Sequence, residues 1–328
     1  MSPDSALWLS EADVVSLIDL REAIDAIEHG LRLEARGEAC NMTKTHVAWG
    51  GGHTLHAIGA LFSTAGVAGT KTWTHTAGGA TPLLILFDSQ TGALRAIIEA
   101  FALGQLRTGG ISGVATRWLA RADADELAII GTGKQALAQV AAVAAVRSLR
   151  RVRVFSPNPA HRAEFVARVH SELNLEAIEA ASIAEAVAGA AIITLVTRAT
   201  APFLTAAMVA DGCHLNAVGA ITPERAEFAS DILPRCTVVA VDSPPAAQKL
   251  SREFMDYFNA GDWRRVAPLS SIVAEQRKRP RDADLTLFKA MGMGIADLAL
   301  GIEVYDRARR ANVGRHIAQP RRAQPRLH

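Results

Sequence analysis

Residues 126–158 read ELAIIGTGKQALAQVAAVAAVRSLRRVRVFSPN. A short apolar run, Leu127 to Ile130, breaks at Gly131-Thr132-Gly133. An Ala-rich segment of helical character follows, then a second apolar run, Val152 to Phe155. This is a β-α-β unit whose first turn reads G-x-G-x-x-A. The first glycine permits a tight turn and the second lets backbone N–H groups approach a pyrophosphate, while Ala136 is small enough for close helix–strand packing. The positive end of the following helix dipole then faces the phosphates. The fingerprint alone also fits an ordinary glycine-bounded turn. A strand before it, a helix after it and a second strand at the right distance make it a dinucleotide site.

The chain around this unit has 328 residues, enough for two domains with separate cores. A hydrophobic fraction of 49% with 21% charged residues describes a soluble globular protein, and a formal charge of +2 selects no polyanionic partner. Cys40, Cys213 and Cys236 are widely spaced and odd in number. They suit neither a disulfide framework nor a zinc site, so a reducing cytoplasm is expected. The opening MSPDSALWLS lacks the basic and apolar regions of a signal peptide, and the most apolar helix, Ala136 to Val146, is too short for a bilayer. The tail after Asp306 carries seven arginines and no acid. It reads as a solvated terminus and not as a nucleic-acid arm. No nucleic-acid or membrane partner is expected.

Residues 10–36 begin with Ser10, an N-cap candidate, and carry Val14, Leu17, Ile18, Ala23, Ile27 and Leu31 at helical spacing, which predicts amphipathic helices separated near Asp19. After Gly37 the texture changes to short apolar pieces, Met42 to Trp49, Thr54 to Phe62 and Val67 to Thr76, which read as strands. Leu83 to Asp88, the turn Ser89-Gln90-Thr91-Gly92 and Ala93 to Glu99 form a hairpin. The first third is therefore an α+β domain that precedes the dinucleotide unit.

Two residues of this domain stand out. Along Val67 to Thr76, alternation puts Val67, Lys71, Trp73 and His75 on one face, so Lys71 stands beside an aromatic on the more buried side. A snorkelling lysine at a sheet edge is the alternative. In Gly104 to Leu119 the apolar spacing suggests a helix, yet Arg107, Gly109 and Gly110 fall in what reads as its first turn, against the macrodipole and against helix propensity. Local rules broken together mark a functional site. Arg107 is expected to bind a carboxylate, with the glycines letting backbone approach a ligand. The alternative is a surface arginine on a poor helix. His46, His53, His56 and His75 lack a carboxylate or cysteine at metal-site spacing, so no metal is expected.

Downstream, Ser182 and Glu185 make a capping box and Ala191 to Val196 the next buried strand. Thr197 to Pro202 is then the loop at its C-terminal edge, where open α/β sheets bind ligands. Cys213 to Val218 and Thr237 to Val241 read as further strands, and Leu285 to Arg310 as helix, with Phe288, Met291, Ile295, Leu298, Ile302 and Tyr305 at core spacing. Asp231 and Asp242 are expected to cap or terminate elements.

Five stretches in order, Gly69-Thr70-Lys71, Leu106-Arg107-Thr108-Gly109, Ile130 to Ala136 (IGTGKQA), His214 to Ala220 (HLNAVGA) and Leu287 to Met293 (LFKAMGM), give the chain its resemblance to the ornithine cyclodeaminase and mu-crystallin family over nearly its whole length. The resemblance implies a homodimer with a Rossmann-type α/β domain, residues 117–294, inserted in an α+β substrate-binding and dimerisation domain, residues 1–116 with 295–328. It implies that Lys71 is the active-site lysine and Arg107 the arginine on the substrate carboxylate, with a second family arginine replaced by Lys44. The dinucleotide site expected on these grounds comprises Thr108, Gly131, Thr132, Gly133, Lys134, Gln135, Ser156, Asn158, Arg162, Thr197, Val218, Gly219 and Met291.

The chain also departs from the family. Cyclodeaminases carry an aspartate after the NAVG segment that handles the amine of ornithine, and here the chain reads Ala220-Ile221-Thr222-Pro223. Ile221 neither binds an ammonium group nor accepts a proton, so the chain resembles the imine-reducing members. At the end of the second strand, Ser156-Pro157-Asn158 with His161 and Arg162 supplies no acid for a ribose 2′-OH and places basic groups nearby, which favours NADPH over NADH. The expected activity is reduction of a cyclic or open-chain ketimine of a 2-oxo acid, such as pyrroline-2-carboxylate. Lys71, beside Trp73 and a cationic Arg107, would give up a proton to the imine nitrogen. Rival readings are an ornithine cyclodeaminase with recycled NAD, an amino-acid dehydrogenase working by reductive amination, and a non-catalytic NADPH-dependent ligand carrier.

Overall fold

The computed structural model describes residues 5–259 and 262–328. The chain opens with β1 (Ser5–Leu9), α1 (Glu11–Leu17), α2 (Leu20–Ala35), β2 (Ala39–Asn41), β3 (Thr45–Trp49), β4 (His53–Phe62) and β5 (Val67–Thr76). It continues through β6 (Gly79–Ala80), β7 (Leu83–Asp88), β8 (Leu94–Glu99), α3 (Phe101–Leu119), β9 (Glu126–Ile130), α4 (Ala136–Val146), β10 (Arg151–Phe155) and α5 (Pro159–Leu173). Then come β11 (Ala177–Glu179), α6 (Ile183–Val187), β12 (Ile192–Leu195), β13 (His214–Ala217), β14 (Cys236–Val241), α7 (Pro244–Leu250) and α8 (Arg252–Phe258). It closes with β15 (Val266–Pro268), α9 (Leu269–Ala274), β16 (Leu285–Lys289), α10 (Gly294–Ala311) and β17 (Arg315–Ala318).

Two compact units result. The first holds the described residues up to Asp19 with Arg36–Gly104 and Met293–His328. Its sheet runs β17-β1-β8-β7-β5-β4-β2, with β3 paired to β4 and β6 to β5. Only β1 and β8 pair in parallel among these strands. Strand alternation buries Ile58, Leu84, Leu86, Ala96 and Ile98, and α10 lies over this face. A Cβ at Gly301 would run into Leu84, and one at Gly294 into the backbone of Gly59. The other face shows Val47, Trp49, Leu55, Leu61 and Phe87 to solvent. Ser10 caps α1 in a full capping box with Asp13, as its position suggested.

The second unit holds Leu20–Ala35 and Gln105–Gly292. Its eight strands are all parallel, in the order β11-β10-β9-β12-β13-β16-β14-β15. Leu127 and Ile129 of β9 join one apolar cluster with α4 and α5, and Ala128 and Ile130 join another, so the sheet is covered on both faces. The chain leaves β9 toward β10 and returns on the other side at β12. The switch point lies between β9 and β12, where doubly wound sheets bind ligands.

The units are bounded otherwise than at residue 116. Helix α2 belongs with the second unit, because its Ile24 and Ile27 fill the space left by Gly113 and Gly110, and its Asp25 and Glu28 pair with Arg117 at 2.8 and 2.6 Å. This also corrects the reading of α3. The helix starts at Phe101, where Glu11 accepts hydrogen bonds from the Phe101 and Ala102 N–H groups, so Arg107 sits in its second turn and opposes no dipole end. Its glycines receive neighbouring helices: Gly109 faces the Ala138 carbonyl, with 2.6 Å left for a Cβ. Leu285 to Lys289, expected as helix, is strand β16. Its five residues, Thr286 and Lys289 included, are all buried between β13 and β14, so no exposed face marks a period, and periodicity does not separate a strand from a helix in so short a buried run.

Candidate active site

In the second unit the fingerprint glycines behave as their chemistry requires. Gly131 adopts φ +111°, a conformation that a side chain resists, and a Cβ there would come within 2.7 Å of the Val196 carbonyl. Its N–H donates to the Phe155 carbonyl at 2.8 Å, closing the turn. Gly133 is exposed with nothing within 4 Å of where its Cβ would stand, and Lys134 is exposed beside it. Ala136, buried, opens α4; the preceding Gln135 makes no side-chain cap, so the helix N-terminus is left for an anion. Among the described residues, Gln135 Oε1 is buried without a hydrogen-bond partner. An open glycine, an uncapped helix start and an orphaned amide oxygen fit a pyrophosphate and its sugars. Thr132 is half-buried in the same turn. The Thr108 carbonyl in α3 accepts from the Gln139 side chain of α4 at 2.9 Å, which fixes α3 against the fingerprint helix.

At the ends of β12 and β13, sequence reasoning found Thr197, Val218 and Gly219 but missed what joins them. Glu227 is fully buried. Its Oε1 accepts from the Thr197 N–H at 2.6 Å and hydroxyl at 2.8 Å, and its Oε2 from the N–H groups of Gly219 at 2.8 Å and Ala220 at 3.1 Å. Gly219 must be glycine, because a Cβ would overlap the backbone of Thr197. Burial pushes the Glu227 carboxyl up, against the pull of Lys289 and these donors. Behind it, Glu253 accepts from the Glu227 N–H at 3.1 Å, the Ser251 hydroxyl at 3.1 Å and Lys289 Nζ at 3.3 Å. Val218 donates to the Leu195 carbonyl at 2.9 Å. The one visible signal for Glu227 was a carboxylate between two apolar residues, Ala226 and Phe228, both buried.

At the end of β10 the expected residues are present but partly committed. The Asn158 side chain caps α5, accepting from the Ala160 and His161 N–H groups at 2.9 and 3.4 Å. Arg162 donates to the Ser156 carbonyl at 2.7 Å, lies over the Phe155 ring at 5.6 Å, and meets Glu179 of β11 at 3.4 Å. A carboxylate therefore does stand near this basic group, supplied by the neighbouring strand.

Arg107 is half-buried in α3, with Nη1 3.6 Å from the Cβ position of Gly292. Asp242, after β14, accepts from the Met291 and Gly292 N–H groups at 2.8 Å each and feels the Arg107 charge. Burial pushes the Asp242 carboxyl up, while these donors and Arg107 act the other way. The Met291 side chain, expected at the cofactor, is instead 1% exposed in the apolar core, leaving its backbone as the part that shapes this turn.

In the first unit Lys71 is 4% exposed on the interior strand β5, between Ile58 of β4 and Leu84 of β7. The sheet-edge alternative fails. Its Nζ pairs with Asp297, buried in the first turn of α10, lies 5.1 Å from the Trp73 ring centroid, and is 3.9 Å from the Cβ position of Gly104. The Asp297 carboxylate gives the Lys71 ammonium a buried counter-charge. Asp297 was invisible to the sequence reading. Trp73 stacks on His56 at 4.8 Å, and His56 on His46 at 5.6 Å. Burial, then the charges of Lys44, His46 and His75, push the His56 imidazole down to about 4, so it is a neutral aromatic wall. Lys44 is half-buried and close enough for its charge to act on that ring. Among the described residues no group of three or more His, Cys, Asp or Glu side chains is arranged to hold a metal, and no helix is long and apolar enough to cross a membrane.

Three known proteins are similar to this chain. A Delta(1)-pyrroline-2-carboxylate reductase of Bacillus cereus is 33% identical over 239 residues, 72% of this chain and 73% of its own. The ketimine reductase mu-crystallin of Mus musculus is 32% identical over 223 residues, 68% of each chain. The structure of Thermococcus litoralis Delta(1)-pyrroline-2-carboxylate reductase in complex with NADH and L-proline superposes with a TM-score of 0.89 at 27% identity, covering 95% of this chain and all of that one. A family model matches residues 5–312, and the chain belongs to the ornithine cyclodeaminase/mu-crystallin family.

Proposed function

We propose that this chain, an oxidoreductase acting at carbon–nitrogen bonds, reduces cyclic or open-chain ketimines of 2-oxo acids, with pyrroline-2-carboxylate, giving L-proline, the first candidate. One observation carries the choice over ornithine cyclodeamination. The loop after β13 offers Ile221 where a second amine would need an acid, and the buried carboxylate of that loop, Glu227, is occupied by four donors from Thr197, Gly219 and Ala220. An ammonium group there would find no acceptor and would remain desolvated. The reductases named above support the same choice.

When bound, the nicotinamide supplies the hydride for the imine carbon. The protein's part is to hold the substrate and supply a proton. Arg107 grips the substrate carboxylate, assisted by Lys71 and Lys44. Lys71 donates a proton to the imine nitrogen, and Asp297, its buried partner, holds the side chain in place. NADPH is the preferred reductant, with NADH as alternative. Arg162, carried by the Ser156 carbonyl and the Phe155 ring, offers its charge to a 2′-phosphate, tempered by Glu179. The active form is a homodimer joined through the apolar sheet face that bears Val47, Trp49 and Leu55. Three free thiols, two of them buried, suit a reducing cytoplasm.

Following NADPH and NADH oxidation against pyrroline-2-carboxylate, its six-membered homologue, and 2-oxo acids with ammonium or amines tests the proposal. Steady oxidation with a cyclic ketimine and no added amine is expected. Ammonia release from ornithine without net cofactor change would overturn it in favour of the cyclodeaminase, and oxidation only with added ammonium would favour the dehydrogenase.

A further inference from the structure

Glu227 is a carboxylate taken out of water and given four hydrogen-bond donors. When ionised, a carboxylate accepts at both oxygens with no donor of its own, whereas an amide in its place would turn an N–H toward one of these donors. The donors come in two pairs, Thr197 on one oxygen and Gly219 with Ala220 on the other, so the side chain bridges the segments that follow β12 and β13. Gly219 has lost its Cβ to let them touch. The charge is held in place from behind. Lys289, fully buried, pairs with Glu253, which accepts the Glu227 N–H, and its charge also reaches Glu227. A buried cluster of two acids and one base costs desolvation that a well-packed apolar cluster would avoid, so stability alone does not account for it.

Its place in the fold suggests what it does. In a doubly wound sheet the half beginning at β9 takes one mononucleotide and the half beginning at β12 takes the other. Glu227 touches only the second half. We propose that Glu227 is a positioning residue for the nicotinamide ring: it locks the Thr197 and Gly219 segments into the one arrangement that receives the ring, while the Gly131-Thr132-Gly133 turn serves the pyrophosphate and the rest of the cofactor. The inference rests on the nicotinamide-dependent reading above.

Calorimetric titration of the full chain with NADPH, NADH, ADP-ribose and 2′-phospho-ADP-ribose tests it, since the last two lack the nicotinamide. In Glu227→Gln the dinucleotide affinities fall about tenfold or more, as expected when hydrogen bonds to a buried charge are lost, while the ADP-ribose affinities stay within about twofold of the parent. Gly219→Ala would press on the Thr197 backbone and on the Glu227 Oε1 itself, breaking the same bridge from its other side, and gives the same split, which keeps the test decisive if Glu227→Gln does not fold. Unchanged dinucleotide affinity in a folded variant overturns the proposal. Equal loss of dinucleotide and ADP-ribose affinity also overturns it, as the mark of general damage. A parent protein that binds ADP-ribose and no dinucleotide would sink the functional reading and this one together, whereas a parent that binds both with an insensitive variant sinks only this one.

Discussion

Lys71 and Asp297 pose the sharpest question at the scale of single residues. Both are buried, and taking two charges out of water costs several kcal/mol per ion before their attraction repays it. Asp297→Asn leaves the ammonium without its counter-charge and is expected to destabilise the protein by about 3 kcal/mol or more. The double change Lys71→Met with Asp297→Leu should recover most of that loss in a denaturant titration while leaving no imine reduction. If the double variant is as unstable as Asp297→Asn, the pair exists for stability and not for chemistry. Lys71→Ala separates the two roles of the lysine. A proton donor contributes on the order of a hundredfold or more to kcat, so a variant that loses only substrate affinity demotes Lys71 to a binding residue. Strand alternation made Lys71 legible in the sequence. Asp297 was not, because 226 residues separate the partners and an acid in a first helical turn is ordinarily read as a dipole contact.

Elements with a strong local signal were legible: the glycine turn before α4, the Ser10 cap and the β7–β8 hairpin all depend on residues a few positions apart. Helix α3 was misread because its beginning is set by Glu11, 90 residues before Phe101, and its glycines answer to α2 and α4, not to a ligand. The β3–β4–β5 sheet carries a further consequence. Val47 lies opposite Leu55, and both point away from the face covered by α10, as do Trp49, Leu61 and Phe87. A two-sided apolar sheet with one face open calls for a cover, which the homodimer proposed above would supply. Val47→Asp combined with Trp49→Glu should shift the protein from dimer to monomer in sedimentation velocity. His56 and Trp73 lie on the other face, so the fingerprint turn and Lys71 keep their own contacts. A parent protein that sediments as a monomer at micromolar concentration removes this interface.

For the whole molecule, the chain enters the second unit at Leu20, leaves it, and re-enters at Gln105 before returning at Met293. The first crossing left no trace in the sequence, because it is enforced by Ile24 and Ile27 meeting glycines more than 80 residues on, a fit between side chains that no local pattern announces. One buried network of the second unit governs how the molecule responds to acid. His214 on β13 is fully buried between Thr286 at 3.0 Å and Asn216 at 3.1 Å, and Asn216 reaches Thr116 of α3 at 2.9 Å. Burial, aided by the charges of Arg279 and Arg147 and opposed by the Asn216 contact, pushes the imidazole down to about 3. The unfolded chain takes up this proton near pH 6.5, so between about pH 6.5 and 3 it binds a proton that the folded chain refuses, and stability falls as pH drops through that window, by an amount on the order of a few kcal/mol. Glu227 and Asp242, whose carboxyls burial pushes up, tilt the opposite way, since the folded chain holds those protons longer than the unfolded one. The contribution of His214 is therefore read as a difference in slope. Urea unfolding at pH 7, 5.5 and 4.5 should show the parent losing stability more steeply than His214→Gln, whatever the absolute stability of the variant. Parallel slopes would mean that His214 is protonated in the folded protein, its Nε2–H given to the Asn216 Oδ1 that faces it.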